Sequence, residues 1–180
     1  VGISLRDLCP HEGVGIARLG LIDSIQVVIN LFEQEPEREL LPASRQSNTG
    51  IIARVPLDSG SLTNTWNMET WENWADDDKR KIMYSREQFT ETLERAEALN
   101  NLAAEYDLSL PEMALRYCLS LDGVSTIIPG MRSVEEVDLN LPYGDASPLP
   151  NELMTKLKEH SWRHSFYGNT PPVEDAIINP

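Results

Sequence analysis

The 180-residue sequence has little of three things: cysteine, unbroken apolar runs and positive charge. Its two cysteines, Cys9 and Cys118, cannot build a disulfide framework. Both lie among apolar neighbours, which reads as buried free thiols. No apolar run approaches the roughly 20 residues that a helix needs to cross a bilayer, and no signal-peptide pattern opens the chain. A soluble, cytoplasmic protein is the expectation. Against 29 Asp and Glu stand only 15 Lys and Arg, a net charge of −14, with no basic cluster to track a phosphate backbone. Such a surface repels nucleic acid and anionic membranes. A small anion would need a locally built pocket, so a single well-placed arginine carries more meaning here than in a basic protein.

What is present is an alternation of short apolar segments with helical ones. "VGIS" (1–4), "SIQVVIN" (24–30), "GIIARVP" (50–56) and "VSTII" (124–128) read as strands. A helical stretch fills residues 5–19. "PERELLPASRQSN" (36–48) has helical spacing, with Pro36 placed for a first turn and Pro42 interrupting it. A polar and aromatic insertion follows the third strand, about 57–85, and then a helix over 86–107. A further helix starts at Ser109 and sets Met113, Ala114, Tyr117, Cys118 and Leu121 at the helical period. An amphipathic helix near 149–160 precedes an irregular, Pro-rich end.

Alternating β and α segments predict a parallel sheet with helical crossovers. Only four βα units are present, where a closed barrel of this type has eight and roughly 250 residues. A four-unit arc leaves raw strand edges and one bare barrel-facing surface. The expectation is a piece of a longer protein or an arc that another chain covers.

"GVSTIIPGMRSVEEVDLN" (123–140) is built like a socket. A β-branched strand is broken by Pro129 and Gly130, Arg132 follows, and Ser133 with Glu136 has capping-box spacing at the start of a helix. Unpaired backbone N–H groups at such a turn favour an anion.

This segment is similar to the last strand, glycine turn and helix of the aldo-keto reductases. "RVPLDSGSLT" (54–63) resembles that family's P-L-x-x-G-x-L-T loop, and "DSIQVVINLF" (23–32) its D-x-x-Q-x-x-x-N strand. "ALRYCLSLDGVST" resembles the helix leading into the final strand. In order and spacing the four resemble the C-terminal half of the family's (β/α)8 TIM barrel, over residues 1–162, with 163–180 an irregular tail.

The resemblance implies NADPH as cofactor. Arg132 matches the arginine that pairs with the adenosine 2′-phosphate, through the two parallel bonds a guanidinium can make. The competing reading is a surface charge. Gly130 belongs to the same turn. Ser133 is either a phosphate neighbour or a plain helix cap, and Asn140 either reaches adenine or is an exposed polar residue. Glu136 stands where the family has Gln, and its carboxylate repels phosphate. Pro56, Leu57, Ser59, Gly60 and Leu62 match the loop whose backbone N–H groups approach the pyrophosphate, with Asp58 a local mismatch of charge. Ser4 and Gln26 match residues that hold the nicotinamide carboxamide, although the family's Asn after that Ser is Leu5 here. Arg54 either lies flat against the nicotinamide or makes a salt bridge at the barrel rim. Asn30 orders a strand end. Trp66, Trp71 and Trp74 of the insertion are candidates for a substrate lid or for anchoring aromatics.

Family chemistry is hydride transfer to a small-molecule carbonyl, with a tyrosine tuned by Lys and Asp giving the proton and a His orienting the substrate. Tuning is needed because free Tyr, with a pKa of ~10, is a weak acid at neutral pH. The resemblance puts all four residues upstream of Val1, so no catalytic residue is assigned to this chain. The alternative is a non-catalytic nucleotide-binding or structural module that closes a barrel by self-association or with a partner chain. His160 and His164 have a zinc-compatible spacing but no third ligand, so no metal is assigned.

Overall fold

The computed structural model describes residues 1–164. Most of the expected irregular tail, Tyr167 included, lies outside the described residues. Four parallel strands form one sheet in chain order: β1 (Gly2–Ser4), β2 (Ser24–Val28), β3 (Gly50–Arg54) and β4 (Val124–Ile128). Among the described residues β1 pairs only with β2 and β4 only with β3, so both edges of the arc are open.

The sheet has two unlike faces because side chains alternate along each strand. Ile25, Val27, Ile51 and Ala53 point to the helices and are almost wholly buried. The other face carries, in one register row, Ser4, Gln26, Ile52 and Thr126, and in the next row Val28, Arg54 and Ile128. Ser125 bulges out of β4, and its hydroxyl accepts the Ile51 N–H at 3.1 Å, which keeps that donor satisfied.

Helix α1 (Pro10–Arg18) starts later than expected from the pattern. Residues 5–9 are irregular, and Leu8 there takes a left-handed backbone. Pro10 suits a first turn, where its missing N–H costs nothing. After a 3-10 turn at Glu35–Glu37 comes α2 (Leu40–Gln46). Pro42 therefore sits in a first turn rather than interrupting a long helix.

The insertion folds into α3 (Met68–Asn73) and α4 (Lys79–Met83), each capped by the residue before it, Asn67 and Asp78. Trp74, Tyr84 and Phe89 are its buried core, with Trp66 and Trp71 packed against them. Ser85 and Gln88 form a capping box for α5 (Arg86–Ala104). Helix α6 (Leu110–Ser120) buries Leu110, Met113, Ala114, Tyr117 and Cys118, the i, i+3, i+4, i+7, i+8 pattern of a core-facing stripe. Cys9 and Cys118 are both buried and free, as expected. After β4 come α7 (Val134–Asn140) and α8 (Asn151–Leu157). Among the described residues no helix is long and apolar enough to cross a membrane.

Candidate functional site

A parallel sheet delivers the residues that follow its strands to one end, the carboxyl end, where a ligand can meet all of them. Ser4, Arg54, the 55–62 loop and the 129–133 turn all lie there.

At the first two strands the two residues expected to hold a carboxamide hold each other: Gln26 Nε2 donates to Ser4 Oγ at 3.2 Å. Ser4 is exposed, so a ligand could replace that contact. Beside them Leu5 is buried and packs towards Gly13, an apolar role. Arg54 reaches from β3 across to the loop after β1. Its Nη2 donates to the Asp7 carboxylate and, at 3.1 Å, to the Leu5 carbonyl. The rim salt bridge is therefore formed, between side chains that are 19% and 17% exposed. Arg54 Nε is buried with no hydrogen-bond partner. A buried orphan donor is costly, on the order of 1–3 kcal/mol, and an acceptor on a ligand would relieve it.

The loop after β3 is tighter than a simple cradle. The N–H of Asp58 donates to Val55 O at 3.0 Å and that of Gly60 to Leu57 O at 2.9 Å, so two of the four amides expected to face a pyrophosphate close the turn instead. Val55, Asp58, Ser59 and Gly60 all take positive φ. Gly60, at +116°, is in a region that residues with a β-carbon seldom enter. A β-carbon there would also lie 3.0 Å from the Trp66 ring. Trp66 in turn stacks on Phe89 and meets Trp74 edge to face. Trp71 Nε1 donates to the Tyr84 carbonyl at 3.2 Å. The contacts of all three tryptophans are anchoring ones, and they back the loop from behind. Pro56 and Leu62 are buried, Leu57 packs on the core, and Ser59 is exposed at the tip.

Asp58, the local mismatch of charge in this motif, is turned inward. It is fully buried, accepting from Ser61 Oγ at 2.5 Å and Asn30 Nδ2 at 3.4 Å, with His164 Nε2 at 3.4 Å. Asn30 does order the strand end: Oδ1 accepts the N–H groups of Phe32 and Glu33, each at 2.9 Å, and Nδ2 donates to Val55 O at 3.0 Å.

The residues around His164 were not legible beforehand. Ser161–His164 run as a strap over the carboxyl end. Trp162 N donates to Phe32 O at 2.9 Å, Arg163 to the Leu8 carbonyl, and the Trp162 and His164 rings stack at 4.1 Å. Arg95 lies over the Trp162 ring, 4.4 Å from its centroid. Under the strap Glu33 is buried with no hydrogen bond to either carboxylate oxygen. Burial pushes its carboxyl up to about 7 although Arg163 and His164 oppose the shift. Desolvation lowers His164, but the hydrogen bond and charge of Asp58 outweigh it and the net direction is up. A cavity of about 240 Å³ separates the strap from Tyr84, Gln88 and Thr92. Contacts that join residue 163 to residue 8 leave no local pattern in the sequence.

At the fourth strand the expected socket is formed and its donors are in use. Ser133 caps α7, accepting from Glu136 N at 3.2 Å. The Glu136 side chain does not complete the capping box. It reaches one residue further back, to the Arg132 N–H at 2.5 Å and to Arg132 Nη2 at 3.1 Å. The Arg132 side chain is 82% exposed, so this is a surface pair. Asn140 Nδ2 meets Gly130 O at 3.4 Å. A β-carbon at Gly130 would touch nothing within 4 Å. The space over the turn is open.

Residues 17–161 match the sequence model of the aldo/keto reductase family. The chain belongs to that family. Among its relatives, the uncharacterized oxidoreductase YqkF of Bacillus subtilis is 29% identical over 140 residues, 78% of this chain and 43% of that protein. The NADH-specific methylglyoxal reductase of Escherichia coli is 29% identical over 137 residues, 71% of this chain and 41% of that protein. The glycerol dehydrogenase of Gluconobacter oxydans superposes with a TM-score of 0.66 at 24% identity, over 76% of this chain and 41% of its own. An aldo-keto reductase of Bacillus halodurans gives 0.63 at 24%, over 91% and 50%. The aldo-keto reductase chain thus spans about half the length, or less, of the relatives it matches, and its four-stranded arc is about half of their (β/α)8 barrel.

The group this family implies is a nicotinamide dinucleotide. Three observations fit it: the buried orphan Arg54 Nε, the open space over Gly130, and the mutually paired but accessible Ser4 and Gln26. Among the described residues no tyrosine lies in a strand or directly after one. Tyr84 is buried in the aromatic core of the insertion and Tyr117 on the core face of α6, and burial pushes both hydroxyls further up. Tyr106 Oη donates to Glu152 at 3.3 Å, and Tyr143 lies in a 3-10 turn that follows α7.

Proposed function

We propose that this chain is the cofactor-holding half of a carbonyl-reducing aldo-keto reductase, closed into a full barrel by four further βα units that bring the catalytic Asp, Tyr, Lys and His. The observation that carries it is the gathering of Ser4, Gln26, Arg54, the 56–62 loop and the 130–140 turn at the carboxyl end of one parallel arc.

Each residue then has a physical task. Ser4 and Gln26 exchange their mutual bond for the carboxamide, which needs both a donor and an acceptor. Arg54 presents a flat guanidinium, held by Asp7, with its buried Nε donor left over. The loop around Ser59 and Gly60 is kept rigid by Trp66 and Asp58, so little order is lost on binding. Arg132, Ser133 and Asn140 line the adenosine end. NADPH is the form whose extra phosphate Arg132 would serve, once the arginine is released from Glu136. The bound dinucleotide supplies the hydride, and the small-molecule carbonyl lies on the side of the missing units.

Fluorescence titration tests the reading, because Trp66 packs directly behind Gly60. Saturable quenching by NADH or NADPH at micromolar concentration is expected, with no carbonyl reduction by the chain alone. Turnover should appear only on adding the complementary four-unit half. Absence of any dinucleotide response would reject the proposal.

A further inference from the structure

Resting on that cofactor reading, we infer that Glu136 is a specificity-determining residue that selects the dinucleotide lacking a 2′-phosphate. The turn offers an anion the Arg132 N–H, the Arg132 guanidinium and the Ser133 hydroxyl. The first two are already taken by the Glu136 carboxylate, at 2.5 Å and 3.1 Å. The third caps α7, accepting the Glu136 N–H at 3.2 Å. The Glu136 carboxylate therefore occupies the place a phosphate monoester would need. The same contacts with Arg132 hold the Glu136 carboxyl below its usual range, so it stays charged at neutral pH.

A carboxylate and a ribose are complementary in a way that a carboxylate and a phosphate are not. An acidic side chain accepts hydrogen bonds from ribose hydroxyls, whereas an arginine left free accommodates the 2′-phosphate. Here the arginine is present and its own neighbour spends it. NADPH must either break the pair or bring a dianion beside Glu136, and both cost affinity. The pair itself is exposed and cheap to break, so repulsion between like charges is the larger cost. NADH meets neither cost.

The test uses the 180-residue chain and Glu136→Gln. This change keeps the Ser133 cap, since that bond uses the backbone N–H of residue 136. Four probes are titrated by calorimetry: NADH, NADPH, AMP and adenosine 2′,5′-bisphosphate, the last two differing only in the 2′-phosphate. The unaltered chain is expected to bind NADH about tenfold more tightly than NADPH. Glu136→Gln is expected to tighten NADPH and the bisphosphate about tenfold while NADH and AMP move less than about threefold. Tighter binding of NADPH by the unaltered chain overturns the inference and leaves the cofactor reading standing. So does a variant that shifts all four probes by one common factor. Failure of every probe to bind either protein overturns both.

Discussion

Replacing Glu33 with Gln should make this protein more stable, and only above neutral pH. Glu33 lies under the 161–164 strap, 4% exposed, with neither oxygen hydrogen-bonded. Burial raises its carboxyl from 4.5 to about 7. A carboxyl that is harder to ionise in the fold than in the unfolded chain carries no penalty below about pH 4.5, where both states are protonated. The penalty grows as pH rises and is complete above about 7, where both are charged. The difference is worth about 3 kcal/mol at 1.36 kcal/mol per pH unit. Gln has the shape of the protonated acid and never ionises. Urea unfolding followed by tryptophan fluorescence should therefore give the same stability for both proteins at pH 4.5. At pH 8 Glu33→Gln should gain up to about 3 kcal/mol, with an unchanged m-value. A variant that loses stability at pH 8 would refute the reasoning. It would mean that the ionised carboxylate draws more from Arg163 and His164 than burial takes away.

The neighbouring contact predicts the same direction by a different group. His164 is raised by Asp58, so its contribution is full below its unfolded value of 6.5 and fades as pH rises through the folded value. His164→Gln should destabilise the fold more at pH 6 than at pH 9, by an amount on the order of 1 kcal/mol, read as a larger drop in melting temperature at pH 6. Gly60→Ala combines a φ of +116° with a ring 3.0 Å away and should cost about 2 kcal/mol or more, with a red-shifted tryptophan emission. Gly20→Ala, at φ +64° with nothing within 4 Å, should cost only about 1 kcal/mol in the same melt. Phe89→Ala should remove about 3–4 kcal/mol, and hydrogen exchange should quicken over residues 66–84 before the sheet is affected.

The strands and α6 were legible because β-branched runs and a core-facing stripe are local patterns. The bounds of α1 and α2 were not. Residues 5–9 are spent on presenting Asp7 to Arg54, a contact across 47 positions, and Pro42 suits a helix that starts at Leu40. In the site, Ser133 reads as a cap from its spacing with Glu136, and it is one. The same spacing is silent on whether the Glu136 carboxylate turns to residue 133 or to Arg132. Asp58 reads from its motif as a mismatch of charge beside a pyrophosphate, but its partner His164 comes from the far end of the chain. The tryptophans left two readings open on composition alone. Their geometry shows anchoring, since each is committed to Tyr84, Phe89 or one another.

The row formed by Ser4, Gln26, Ile52 and Thr126 on the uncovered side of the sheet is mostly hydroxyl and amide. Such a lining keeps its water when nothing sits against it, unlike an aliphatic one. A sheet face lined this way pays little for standing open to water.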